Sequence, residues 1–254
     1  MNNKSIITLI LFFAYFSLNS MQRLHEHEPQ QRVDTRKIAI LGWGSLPNDL
    51  GDLDIKGSFQ KSTLKWPIQL ARLSGKGTTN QRVTRIYDRE EGQPISLWYA
   101  ESAYKLLPTA RLNLTHREKM PETQQGGPSS NIFYIKTLLP NRRPDNNEHL
   151  IKDRQDNSLR GPSNNLWYIV DGGDMQLTRD EKVELANWAT QNGYTAVIWT
   201  GLGKTPGYDS LNKLKALLRR DNGTLSRTKN YIEILPDRNE LTDFEKDIKD
   251  NIYG

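Results

Sequence analysis

The chain has 254 residues, 35% of them hydrophobic and 26% charged, with a net charge of +5, which supports one large folded domain rather than a disordered chain. Cysteine is absent, which excludes disulfides, thiolate catalysis and Cys-ligated zinc. The 35 basic residues are spread along the chain among 30 acidic ones, so no dense basic block marks a nucleic-acid arm.

Lys4 precedes an apolar run over residues 6–16. That run falls short of the roughly 20 residues needed to span a bilayer, but a basic start followed by an apolar stretch fits a secretory signal peptide. Residues 1–20 are therefore read as a signal peptide and the protein as exported, periplasmic or secreted, with no stable membrane insertion after cleavage. An uncleaved N-terminal anchor, or translation starting at Met21, are the alternatives. Residues 21–36 lack apolar periodicity and read as a linker, in which His25 and His27 are solvated rather than metal ligands.

From residue 37 the pattern changes to a folded domain reaching residue 254. Residues 38–41, 66–73, 81–87 and 95–99 are short, apolar or alternating runs of strand type. Apolar residues from Ala103 to Leu114 recur at helical spacing up to Glu118, and Pro108 makes this helix start late or kink. Residues 132–138 and 166–170 read as strands, with a proline-rich polar insertion around 121–165. Thr178 and Glu181 have capping-box spacing and open a helix to about Gln191, stopped by Gly193. A strand follows at 195–200, a helix at 208–220, a further helical segment at 228–235, and a charged helix or tail after it. The mixture reads as α+β.

The chemistry-bearing candidate is the loop Gly42, Trp43, Gly44, Ser45, Leu46, straight after the first buried strand. Glycines there permit positive φ and close approach of a ligand, and successive backbone N–H groups in such a turn can hold an anion. From local chemistry alone a tight turn without ligand is the favoured explanation. It is neither a P-loop nor a dinucleotide fingerprint. No Ser-His-Asp set is evident, since His149 lies in the polar insertion and the nucleophile-elbow pattern is missing. Asp171-Gly-Gly-Asp174 lacks the spacing of a calcium loop and reads as a turn.

The run Ile-Leu-Gly-Trp-Gly-Ser-Leu over residues 40–46, followed by Trp-Pro-Ile-Gln-Leu-Ala-Arg-Leu-Ser over residues 66–74 and by Arg117-Glu118 at a helix end, resembles a bacterial branch of the γ-glutamylcyclotransferase-like family. Residues 196–200 resemble a late strand of the same branch. Trp43 stands where the family usually has tyrosine, and Pro47-Asn-Asp49 replaces its usual continuation. The resemblance implies a γ-glutamylcyclotransferase-like mixed β-barrel with flanking helices. It further implies cyclisation of a γ-glutamyl group to 5-oxoproline with release of an amine, on a small-molecule γ-glutamyl or related amide. In that reading Glu118 is the catalytic general acid/base, and the loop residues 42–46 bind substrate. No metal and no cofactor are implied. Glu101, Glu122 and His116 are the substitute acid/base candidates. The alternatives to an enzyme are a non-catalytic ligand-binding module on the same fold, or an effector or envelope protein whose insertions carry protein contacts.

Overall fold

The computed structural model describes residues 36–124, 126–138, 158–160, 166–171, 176–237 and 239–250. The expected signal peptide, almost all of the linker with His25 and His27, residues 139–157 of the insertion with His149, and Gly172, Gly173 and Asp174 lie outside the described residues.

The strands are β1 (Ile38–Gly42), β2 (Ile55–Ser74), β3 (Arg82–Tyr87), β4 (Gln93–Ser102), β5 (Ile132–Leu138), β6 (Ser158–Arg160), β7 (Leu166–Val170) and β8 (Ala196–Thr200). The helices among the described residues are α1 (Leu107–Arg117), α2 (Arg179–Gln191), α3 (Leu211–Arg220), α4 (Asn222–Glu233) and α5 (Asp243–Lys249). The strands form one mixed sheet in the order β3-β2-β4-β1-β8-β5-β7-β6, seven substantial strands and the three-residue β6 at one edge. Only β1 and β8 run parallel among the neighbouring pairs. The α+β reading therefore holds.

The expected barrel does not form: the sheet is open, with β3 and β6 at its two edges. The β3 edge shows why. Its outward N–H groups at Val83 and Arg85 donate to the Thr228 hydroxyl and the Tyr231 phenol of α4, at 3.0 and 3.2 Å. A helix thus takes the hydrogen bonds that a closing strand would need, and an edge covered in this way has nothing left to offer.

Alternation along the central strands separates two cores. On one face Ile38, Ile40, Ala196 and Ile198 pack with Ala110 and Leu114 of α1. On the other, Ala39, Leu41, Trp66, Leu97, Val197 and Trp199 pack with Leu185, Ala186 and Trp188 of α2. Every residue of β1 is buried, as expected of a central strand covered on both faces. Trp66 meets Tyr87 and Trp199 edge-on, with ring centroids 6.0 and 5.8 Å apart, and such pairs contribute about 0.5–1.5 kcal/mol each beyond the area they bury. A third cluster joins Leu70, Leu73, Val83 and Ile86, at the far end of the β2–β3 hairpin, to α3, α4 and α5.

Inside this third region lies an ion pair. Arg85 Nε and Nη2 donate to Glu245 Oε1 and Oε2 at 2.6 and 2.7 Å, with both side chains at most 1% exposed. Arg85 Nη2 also donates to the Glu240 carbonyl, and Nη1 to that of Trp43. Glu245 in turn accepts from the Thr242 N–H as part of the capping box of α5. Burial pushes the guanidinium down, but the Glu245 hydrogen bonds and charge outweigh it and leave Arg85 above its ordinary value. Breaking one side leaves a buried charge alone. Glu245→Gln or Arg85→Met is expected to cost about 3–5 kcal/mol in denaturant unfolding, while Arg85→Met with Glu245→Leu costs much less. A single-variant loss below about 1 kcal/mol would show that the pair does not hold the region together.

Candidate functional site

Because β1 and β8 are parallel, the chain leaves both at the same end of the sheet, through residues 43–49 and through the loop that begins at Gly201. Crevices for ligands open beyond the carboxyl ends of parallel strands. In the first loop the Ser45 carbonyl accepts from Asn48 N–H and Asp49 N–H, at 3.0 and 2.8 Å, closing a turn. Trp43 and Leu46 are buried, and the Trp43 ring lies 5.6 Å from that of Trp66. Among the described residues, the N–H groups of Gly44, Ser45 and Leu46 donate to no protein acceptor.

The two glycines serve a different purpose from the one expected. Neither Gly42 nor Gly44 has positive φ, and no residue from 42 to 49 does. The turn is therefore not an alternating right- and left-handed nest. What the glycines supply is room: a Cβ on Gly44 would stand 2.7 Å from the Tyr231 hydroxyl, and one on Gly42 would stand 3.3 Å from Leu46 Cδ2.

Glu118 is the C-cap of α1, which begins at Leu107 with Pro108 in its first turn, as the late start predicts. Lys119 N–H donates to the His116 carbonyl and Met120 N–H to that of Thr115, the two bonds of a Schellman ending. The left-handed position in that ending is Lys119, with φ 53°, a conformation costing a non-glycine residue about 1–2 kcal/mol. The strain sits one residue beyond Glu118 and sets its direction of exit from the helix.

Several charged groups meet there. Arg117 Nη1 lies 3.7 Å from Glu118 Oε1, and Arg117 Nε donates to the Asp49 carbonyl at 3.1 Å. The end of α1 is thus tied to the end of the glycine turn. Arg72 of β2 is within charge–charge range of Glu118, and its Nη1 donates to the Gly203 carbonyl at 3.0 Å, in the loop after β8. The Glu118 side chain is 17% exposed. Burial raises its proton affinity, with a smaller push from Asp49, and outweighs the opposing charges of Arg117 and Arg72. A carboxyl raised above its usual value is a better proton acceptor than an ordinary glutamate and can still return the proton.

The other candidates lie apart from this chemistry. His116 is exposed and its Nε2 lies 2.7 Å from Glu122 Oε1. Glu101 pairs with Lys56 at 2.6 Å across the β4–β2 ladder. Asp171 accepts from the Leu177 N–H and pairs with Lys182 at 3.0 Å, which occupies its carboxylate with protein partners. Among the described residues no group of three His, Asp or Glu is arranged to hold a metal. Four participants were not named as site residues from sequence: Asp49, Arg72, Arg117 and Gly203. Arg72 lies within the quoted run of residues 66–74, so the motif marked its position without its role.

Gly44→Ala is expected to destabilise by about 1–3 kcal/mol through overpacking, and much less in a Tyr231→Phe background, where the obstructing oxygen is gone. Thermal unfolding of the four-member cycle reads this directly; equal costs in both backgrounds would refute the clash. For Glu118, the folded state binds the proton more tightly than the unfolded chain, whose reference value is 4.5. Its ionisation therefore costs no stability below that value, an increasing amount as pH rises through the folded value, and a constant amount above. Glu118→Gln should be more stable than the parent at pH 7, with the difference shrinking towards pH about 4. A difference that grows on acidification would contradict the burial argument.

Compared with known proteins, the chain matches no family model, no curated protein and no solved structure at a significant level.

Proposed function

We propose that this protein is a cofactor-independent enzyme that cyclises a γ-glutamyl group to 5-oxoproline and releases the attached amine. The observation that carries the reading is the juxtaposition of Glu118, a largely buried carboxyl with raised proton affinity, with Asp49 at the end of a glycine turn whose N–H groups at 44–46 are uncommitted among the described residues. The order of strand, glycine turn, long strand and helix ending at Arg117-Glu118 supports kinship with the γ-glutamylcyclotransferase-like family, as an open-sheet relative. The apolar N-terminal run supports export.

The chemistry needs one proton carrier and one oxyanion site. The substrate α-ammonium gives a proton to Glu118, and the freed amine attacks the γ-carbonyl carbon. The developing oxyanion accepts hydrogen bonds from backbone N–H groups in the turn, an effect worth about 3–4 kcal/mol per donor in comparable holes. Glu118 then delivers that proton to the leaving nitrogen, and the oxyanion re-forms the carbonyl as the C–N bond breaks. The freed carboxylate takes the second proton from the ring nitrogen and passes it to the departing amine, so that 5-oxoproline and an ammonium leave. Nucleophile and electrophile belong to one molecule, so holding the folded conformer supplies much of the acceleration.

Incubation with a panel of γ-glutamyl amino acids should release 5-oxoproline, and Glu118→Gln should lower kcat by about 100-fold or more while 5-oxoproline binding persists. Unchanged turnover in that variant would remove Glu118 from the chemistry. Binding of the panel without turnover would favour a non-catalytic module on this fold.

A further inference from the structure

Arg72 stands out among the buried cations because of what it lacks. Arg85 is neutralised by Glu245, and Arg117 is divided between Asp49 and Glu118. Arg111 donates to the Ile132 carbonyl and lies over the Tyr134 ring, 4.7 Å from its centroid. Among the described residues Arg72 has no carboxylate within 4.0 Å, and its Nε is buried with no hydrogen-bond partner. Arg82 Nε is also unpartnered, but that guanidinium lies over the Tyr231 ring. An unpaired buried donor costs about 1–3 kcal/mol, more when charged, and is not retained for packing alone.

The backbone sets this side chain deliberately. The β2–β3 register shifts between Leu70 and Arg72, so Ala71 is the extra residue of a bulge. Bulges re-aim side chains and collect beside functional sites. Here the bulge keeps Leu70, Ala71 and Leu73 in the core with α3, α4 and α5 while Arg72 turns to the loop after β8. That loop is pinned beside it: Leu73 N–H donates to the Thr205 hydroxyl, which donates to the Leu73 carbonyl, each at 3.0 Å. With Nη1 committed to the Gly203 carbonyl, the planar guanidinium of this partly exposed residue is fixed in orientation, and among the described residues its charge has no carboxylate partner within 4.0 Å. A planar, pre-oriented guanidinium is the side chain best suited to a carboxylate.

We propose that Arg72 is the anion anchor of the site, receiving the free carboxylate of a substrate whose reacting amide lies beside Glu118. This rests on the cyclising function proposed above and gives the α-carboxylate that a γ-glutamyl substrate carries its protein partner. Arg72 is a positioning residue: it touches the substrate away from the bond that breaks.

The probes are 5-oxoproline and its neutral carboxamide, titrated calorimetrically against the full chain. The parent protein should bind the acid at least tenfold more tightly than the carboxamide. Arg72→Met should lose that preference by weakening the acid alone, and Arg72→Lys should restore part of it. In turnover, Arg72→Lys should raise KM with kcat nearly unchanged. Parent protein that binds acid and carboxamide equally, or binds neither, overturns the anchor without reference to any variant. So does an Arg72→Met protein that melts like the parent and keeps the preference. Acid binding that depends on Arg72 in a protein with no turnover would leave the anchor standing and refute the cyclisation. Turnover with no preference for the acid would do the reverse.

Discussion

The bidentate pair of Arg85 and Glu245 is where the two ends of the described chain are joined. It ties the edge strand β3 to the start of α5, and through Nη1 it holds the Trp43 carbonyl at the head of the glycine turn. One guanidinium therefore fixes three segments that are remote in sequence, and all of its nitrogens are occupied. The desolvation of two charges is offset by the bidentate geometry, by the two carbonyls that Arg85 also reaches and by the Thr242 N–H on Glu245. Next to it, Lys61 bridges Asp237 and Glu240, and Ser96 adds two hydrogen bonds to Glu240. Desolvation is the largest single influence on Glu240 and pushes it up, but the Lys61 and Ser96 donors together outweigh it and hold the carboxyl down at about 2. The segment between α4 and α5 is fastened to the sheet by charge as well as by the burial of Leu235 and Leu241.

The site at the other side of the turn follows a different economy. Its charges are held close but not matched one to one. Arg117 spans Asp49 and Glu118, Glu118 is kept partly out of water, and Arg72 is left with a bare donor. Lys119 adds backbone strain immediately after the candidate base. Unpaired polar groups and strain in one place are the usual mark of a region shaped for a ligand rather than for stability. The buried pair and the imperfect cluster are linked through residues 43–49.

How much of this could be read from sequence depends on the range of the interactions. β1, β5, β7 and β8 are legible because each is an apolar run bounded by turn residues, and α2 because Thr178 and Glu181 form the capping box that their spacing announces. β2 is much longer than residues 66–73, because its first half is an exposed ladder with Lys56, Gly57, Lys61 and Lys65, whose polar pattern hides its pairing with β4. α3 begins at Leu211 rather than near 208, since Thr205 and Tyr208 pair across a turn containing Gly207 at φ 85°. α4 starts well before 228, where the Asp221 carboxylate caps the Thr224 N–H. The open sheet was illegible because it is decided by hydroxyls on α4 about 145 positions from the strand they cover. In the site, the turn and Glu118 were marked by motif, but the uncommitted state of Arg72 depends on a bulge and on a carbonyl 131 positions away.

The helix that stands in for a strand has a consequence for the order of assembly. Thr224, Thr228 and Tyr231 lie along one side of α4 and meet Gln81, Val83 and Arg85 in turn. Until the ribosome has delivered these residues, the hairpin of β2 and β3 carries a bare rim able to pair with another chain. Contacts of such sequence separation are slow to form. The nascent hairpin must either stay unfolded or be shielded until the C-terminal third arrives, and its final partner is a row of side chains that cannot propagate pairing further. Thr228 and Tyr231, which stop the sheet from closing, therefore also stop it from growing.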